Sequence, residues 1–170
     1  MSFDSRDVIW EKIFDVYYDS YWVEILSDNV IGFWQKTDDI TKVLVALTVS
    51  GSAVSGWTLW NQPGFKYIWA ILAGISAVLS ITHAALGVAG KVRDWTEIKR
   101  QFTTLRLELE SSRDLMEINP DFSIEDFENQ YKAYKKRYGE LYPSIQSDII
   151  LSKKRKVKCQ NDLNIRLELV

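Results

Sequence analysis

One long uncharged stretch constrains this sequence more than any other feature. Between residues 43 and 90 the only charged residue is Lys66. On either side of it, residues 43–65 and 67–90 are each long enough for a helix to cross about 30 Å of hydrocarbon. The pattern predicts an all-α membrane protein built on a two-helix transmembrane hairpin. Serine and threonine in the first segment leave a buried hairpin in a soluble helical protein as the alternative.

The residues between the two predicted spans favour a tight connection. Pro63 and Gly64 form a dipeptide that is typical of turns, so we expect the hairpin turn there. Aromatic rings with one polar edge prefer the level of the lipid headgroups. Four such residues lie near the turn: Trp57, Trp60, Tyr67 and Trp69.

Basic residues predict the orientation of the hairpin. Lys36 and Lys42 precede the first span, four basic residues between positions 91 and 100 follow the second, and Lys66 alone lies at the tip. Basic residues concentrate on the cytoplasmic side of membrane proteins. We therefore expect both termini in the cytoplasm.

Polar side chains recur along one side of each predicted span. The stripes consist of Thr48, Ser52 and Ser55 in the first span and of Ser76, Ser80 and His83 in the second. Position numbers with a constant sum lie at equal depth in an antiparallel pair, and three pairs across the stripes satisfy this to within one residue. The stripes either pack against each other across the hairpin or face water in an oligomeric pore. An ionisable residue such as His83 within a span favours a functional role.

The remainder of the chain predicts helices on both sides of the hairpin. We divide the sequence into an N-terminal amphipathic aromatic helix (1–35), the hairpin with an extended cytoplasmic helix (36–118) and a C-terminal cytoplasmic helical, basic extension (119–170). The N-terminal helix has an acidic polar face, which favours packing on protein over an anionic lipid surface.

A short heptad seam follows the second span. Its members are Trp95, Ile98, Phe102, Leu105 and Leu109. Ser112 is expected to interrupt this seam, which could pack within one chain or between chains. Ser123 with Asp126 predicts the start of another helix from Ile124 to about Arg137, closed by Gly139 and Pro143. The last seven residues alternate in polarity as an edge strand would.

Five basic residues lie close together near the C-terminus. They are Lys153, Lys154, Arg155, Lys156 and Lys158. Such a run forms a solvated face, a contact with the inner leaflet or an anion-binding patch, and nucleic acid is the less favoured partner.

Composition argues against an enzyme. A single cysteine, Cys159, excludes a disulfide scaffold and a cysteine-rich metal site, and a single histidine, His83, leaves little for zinc chemistry or a histidine-based catalytic triad. We predict no catalytic, cofactor-binding or metal-ligating residue. Cys159 beside Lys158 is the one position with the features of a reactive thiol, and alone it supports little chemistry.

The order of these segments resembles the SLATT family. The resemblance covers roughly residues 35–118 and rests on the hairpin architecture and on residues 95–110, WTEIKRQFTTLRLELE. It implies a bacterial inner-membrane protein that accompanies nucleotide-signalling and defence systems. Such a protein would oligomerise and permeabilise the membrane when an upstream sensor activates it. The alternative is a membrane-anchored adaptor that recruits a soluble partner through its cytoplasmic helices.

Overall fold

Helices account for nearly all of the chain that the structure describes. The computed structural model describes residues 5–55, 63–119, 123–145 and 148–168. Within these ranges lie five α-helices and one 3-10 turn: α1 Ser5–Ser55, α2 Pro63–Leu86, α3 Val88–Ile118, α4 Ile124–Leu141, the 3-10 turn Tyr142–Ser144 and α5 Lys153–Arg166. The predicted all-α class is confirmed.

The chain divides into two compact units. Unit 1 combines Met1–Val30 with Asp94–Val170, and unit 2 is Ile31–Arg93. This division differs from the three consecutive segments expected from the sequence, because the start of the chain and its C-terminal half share one core. The long-range contacts that build this core are not encoded in sequence order.

The heptad seam of α3 forms the centre of unit 1. All five members are buried, and Phe102 and Leu105 are completely inaccessible. Leu105 and Leu109 pack with Ile13 and Val16 of α1 in one cluster. The seam is therefore occupied by contacts within a single chain.

Ser112 extends this seam instead of interrupting it. Its side chain is buried, and its hydroxyl donates a hydrogen bond to Gln130 Oε1 of α4 at 2.7 Å. A buried hydroxyl with a partner costs far less free energy than an unpaired one. The polar residue is therefore compatible with a helix-packing position.

Residues 164–166 belong to helix α5 and not to the edge strand that their alternating polarity suggested. Cys159 and Leu163, four residues apart, are fully buried in a cluster with Ile25 and Leu26 of α1. This spacing places both on one side of α5, which extends to Arg166. The alternating polarity from position 164 is too short to override the helical face that precedes it.

Helix α1 joins two segments that the sequence analysis treated separately. It continues without interruption from Ser5 to Ser55 and so includes the N-terminal aromatic segment and the first part of the predicted span. No proline occurs in this range. The buried hydroxyls of Ser20 and Ser27 donate to Val16 O and Val23 O at 2.7 Å, so both polar groups are satisfied within the helix.

The predicted Pro-Gly turn is instead the beginning of α2. Pro63 and Gly64 are its first two residues. Proline is favoured at the first helical position because its missing N–H would have no partner there and its φ is already helical. Residues 56–62, which include Trp57 and Trp60 of the predicted aromatic belt, lie outside the described residues.

Helix α2 ends at Leu86, four residues before the predicted limit of the second span at residue 90. Gly87 has a φ of 59°, in the left-handed region that glycine adopts without steric cost. Its amide donates to Ala84 O at 3.2 Å, which closes the last turn. Helix α3 then continues past Gly90 as predicted.

In length and hydropathy taken together, the described helices differ from a typical membrane span. In the residues described, no single helix is sufficiently long and apolar to cross a membrane. The segments Ala70–Leu86 and Val88–Met116, bent by 42° at their junction, meet the requirement only together.

The predicted cap of α4 is confirmed, whereas its predicted end is wrong. Ser123 Oγ accepts a hydrogen bond from Asp126 N at 3.1 Å. The helix passes through Gly139 and ends at Leu141. Tyr138 and Leu141 pack against the Leu105 cluster, and this packing compensates for the low helix propensity of glycine.

Two nearby glycines provide a matched test of the break at Gly87. Both have open space around the position of an added Cβ, but only Gly87 has a positive φ. Gly87→Ala should destabilise the protein by about 1–2 kcal/mol through backbone strain. Gly90→Ala should stabilise it by up to about 1 kcal/mol through helix propensity. Thermal unfolding in one detergent measures both, and shifts of the same sign would contradict the assigned break.

Candidate functional site

A polar contact joins the two helices of unit 2. The Nε2 atom of His83 in α2 lies 2.8 Å from Oδ1 of Asp38 in α1, and Lys42 Nζ lies 2.6 Å from Oδ2 of the same carboxylate. An ionised carboxylate has no proton to offer, so the Nε2–H of His83 is the donor. The side chains of Asp38 and His83 are only 23% and 24% exposed. Asp38 thus accepts hydrogen bonds from both helices.

This contact corrects the predicted register of the hairpin. The sum of position numbers predicted Thr48 opposite His83, whereas Asp38 lies there in the structure, ten residues earlier in α1. The physical reason is the start of α2 at Pro63, because the connection must then precede Pro63. An earlier connection pairs each residue of α2 with a lower-numbered residue of α1.

The predicted polar stripe of α2 lies on the covered side of the helix. Ser76 is buried, and Ser80 and His83 are partly buried. The other sides of α2 are apolar and exposed. Their large members are Tyr67, Ile68, Ile71, Leu72, Ile75, Val78, Ile81 and Leu86. Helix α2 therefore reverses the arrangement of a soluble amphipathic helix, which covers its apolar side and exposes its polar side.

Helix α1 shows this arrangement only in part, because Lys36, Asp39 and Lys42 are exposed as well. Thr41 is buried and Thr48 partly buried, while Ile40, Val43 and Leu47 lie exposed on another side of the helix. Thr48 Oγ1 donates to Leu44 O at 2.6 Å, so its proton serves its own helix and not the facing one. The side chains of Ser52 and Ser55 lie outside the described residues.

The charged groups around Asp38 hold its carboxyl in the ionised form. The hydrogen bond from Lys42 is the largest cause and lowers the pKa of Asp38 below its ordinary value. Partial burial opposes this shift, and the hydrogen bond from His83 adds to it. The contact between α1 and α2 is therefore a charge-assisted one at neutral pH.

The basic cluster forms the beginning of α5. Ser152 caps this helix by accepting a hydrogen bond from Arg155 N at 3.3 Å. The four lysines, Lys153, Lys154, Lys156 and Lys158, are exposed, and Arg155 is partly buried. The helix N-terminus adds a partial positive charge to the cluster, so this part of α5 is suited to anions.

Cys159 has the environment of a core residue. Its side chain is completely buried, and this burial raises the pKa of the thiol above its ordinary value. The thiolate is the nucleophilic form, so the environment favours packing over reactivity. Within the described residues, no three histidine, cysteine, aspartate or glutamate side chains are grouped to hold a metal ion.

Sequence reasoning missed a small cavity in unit 1. Its volume is about 200 Å³, and it is lined by Trp10, Phe14, Tyr17, Glu110, Arg113 and Leu167. Tyr17 Oη donates to Glu110 Oε1 at 3.1 Å, and Arg106 Nη1 donates to the same oxygen at 2.7 Å. The helical spacing of the three aromatic residues was a usable signal, but their juxtaposition with Glu110 depends on the packing of α1 on α3.

Comparisons with known proteins do not identify a function, so a functional assignment depends on the residues of this chain alone. No protein-family model, curated protein or solved structure matches it.

The Asp38 contact predicts a specific coupling between two side chains. Asp38→Asn should lower the melting temperature, and the effects of Asp38→Asn and His83→Gln should be non-additive because each removes the same contact. Asp39→Asn is the control, since it makes the same charge change at an exposed neighbour. Additive effects of the two substitutions would refute the contact.

The sign of the pH dependence follows from the lowered pKa of Asp38. A depressed folded-state pKa stabilises the folded protein above the unfolded-state value, which is about 4 for aspartate. This stabilisation should be lost as the pH falls through the folded-state pKa. Melting temperatures of the wild type and Asp38→Asn should therefore converge at acidic pH, whereas a constant difference down to the lowest accessible pH would contradict the assignment.

Proposed function

We propose that this chain is a membrane effector. In this proposal the helical hairpin of unit 2 is embedded in the bacterial inner membrane, both termini are cytoplasmic, and unit 1 receives the activating signal. The observation that carries the proposal is the reversed polarity of α2, with Ser76, Ser80 and His83 on the covered side and large aliphatic residues on the exposed sides.

The free energy of the exposed apolar residues supports a location in hydrocarbon. Eight large apolar side chains of α2 are exposed, and removing each from water contributes about 1.5–3 kcal/mol when burial is complete. Hydroxyls that donate within their own helix, as Thr48 and Thr82 do, need no water. The polar stripe is the part of the hairpin that a bilayer would not cover favourably.

Permeabilisation requires more than one hairpin, because two helices cannot enclose a water-filled path. Since the seam of α3 is already occupied within the chain, we assign assembly to unit 2. Activation would separate the covered sides of α1 and α2, break the contact between Asp38 and His83 and turn the stripes toward a common aqueous centre. The resemblance to the SLATT family supports this action and an upstream sensor or nucleotide-signalling protein as the partner.

A second function is favoured by the burial of the stripe itself. Ser76 is 7% exposed within unit 2, and Thr48 is hydrogen-bonded within α1, as expected for helix packing. If the polar stripe only packs α1 against α2, the hairpin would act as a membrane anchor. The chain would then be a membrane-anchored adaptor whose unit 1 binds a soluble partner.

Membrane embedding is tested by placing charges on the exposed face of α2. Ile71→Arg with Ile75→Arg should abolish carbonate-resistant association with membranes, because arginine at the centre of a span costs about 2.5–3.5 kcal/mol per residue. Ile118→Arg with Ile149→Arg is the control, as both positions are exposed and lie in unit 1. Wild-type protein that carbonate extracts completely would rule out the embedded hairpin.

The effector and the adaptor are separated by conductance. Replacing Ser76 and Ser80 together with Leu should lower the conductance of planar bilayers while oligomers persist on native gels, because an apolar lining favours dewetting. Replacing Ala73 and Ala77 with Leu is the control at the same spacing on the exposed side. Wild-type oligomers without conductance under activating conditions would favour the adaptor.

A further inference from the structure

The chain leaves unit 1 at one end of this unit, and a segment from near the C-terminus packs close to that end. The chain passes out of unit 1 after Val30 and returns at Asp94. Next to this point, Trp95 Nε1 donates a hydrogen bond to Asp148 Oδ2 at 3.0 Å, and both side chains are buried. Asp148 therefore lies at the exit end of unit 1, five residues before the first basic residue of α5.

The segment that leads into α5 packs close to the same end of unit 1. Leu151 and Cys159 pack with Ile25 and Leu26, which lie four to five residues before the chain leaves unit 1 at Val30. Together with Asp148, these contacts place the N-terminal half of α5, which holds the basic cluster, near the point at which the chain leaves unit 1.

The exposed side of this half-helix combines cations with aliphatic groups. Lys153, Lys154, Lys156 and Lys158 are exposed, and none has a carboxylate at ion-pair distance within the ranges that the structure describes. Val157 is 50% exposed between them. Lysine extends its charge into the headgroup layer while its methylene stem covers apolar surface, and an aliphatic neighbour inserts beneath.

Given the membrane location proposed above, on which this step rests, we infer that the N-terminal half of α5 docks on the phosphates of anionic lipid headgroups. Basic clusters adjacent to membrane helices bind anionic lipid, with about 1 kcal/mol per basic residue, or about a fivefold change in affinity each. Strand-binding surfaces for nucleic acid place aromatic rings among their cations, and the large apolar side chain here is the aliphatic Val157. The tertiary fold creates this surface, because 66 residues separate the first lysine of the cluster, Lys153, from the end of α2 at Leu86.

The test uses the full chain in nanodiscs of phosphatidylcholine alone or mixed with phosphatidylglycerol. Acetylation of each lysine is followed by mass spectrometry. The α5 lysines should react about fivefold more slowly with phosphatidylglycerol present, and about 0.5 M sodium chloride should remove this protection. Lys132, Lys135 and Lys136 of α4 are exposed lysines of the same unit and should react equally in both lipids.

A variant without the four lysine charges tests whether these charges cause the protection by phosphatidylglycerol. With all four α5 lysines replaced by Gln, backbone amides 153–166 should lose their slower hydrogen exchange in phosphatidylglycerol discs. The variant with Lys132, Lys135 and Lys136 replaced by Gln should retain it. Circular dichroism verifies that both variants keep the helical content of the wild type.

The outcomes separate this inference from the proposed function. A chain that does not enter either nanodisc overturns the membrane location and the docking surface together. A chain that enters both, with equal α5 reactivity in the two lipids, overturns the docking surface alone. Protection by a single-stranded oligonucleotide in phosphatidylcholine discs, without protection by phosphatidylglycerol, assigns the surface to nucleic acid instead.

Discussion

The absence of charge along α2 is the constraint on which unit 2 depends. Between Tyr67 and Leu86 the helix has no lysine, arginine, aspartate or glutamate, so it offers water no charged side to balance its aliphatic ones. Ser76, Ser80 and His83 occupy the side that is covered, and the exposed hydroxyl of Thr82 donates to Val78 O of its own helix. Asp38 satisfies His83 from α1, and this single contact determines which residues of the two helices lie side by side.

Unit 1 follows the opposite rule and packs as a water-soluble helical domain does. Its apolar seam is interior, and the enclosed cation Arg106 is neutralised on several sides. Arg106, with 17% of its side chain exposed, is bound to Glu24 at 2.8 Å and to Glu110 at 2.7 Å and lies 4.8 Å from the centre of the Tyr21 ring. An enclosed cation of this kind is tolerated because its partners are equally fixed, and it specifies how α1 and α3 pair.

Helix α2 of unit 2 covers its polar stripe, and unit 1 covers its apolar seam. In the proposed effector, unit 2 therefore provides the resting state and unit 1 the sensor. A polar stripe covered within one hairpin conducts nothing, so permeabilisation needs a change that exposes it. Unit 1 has the features of a receiving module: a defined core, an aromatic cavity of about 200 Å³ beside Glu110, and a basic segment near its exit end. The inferred docking of α5 on anionic headgroups would give unit 1 a second tether besides the chain itself.

The sequence alone determined the helical class, the seam of α3, the cap at Ser123 and the polar stripe of α2, because these depend on local spacing and local hydrogen bonds. It did not determine that α1 is continuous, since a helix passing from a soluble core into an apolar segment has no local marker. The sequence pattern predicted a turn at Pro63, but proline is equally suited to the first position of a helix. Since α2 begins there, His83 lies beside Asp38, ten residues before the predicted Thr48. The pairing of His83 with Asp38 and the hydrogen bond of Trp95 to Asp148, five residues before the basic cluster, depend on contacts between residues far apart in the chain. Only the tertiary structure decides such contacts, because packing free energy selects among many arrangements that local propensities leave equivalent.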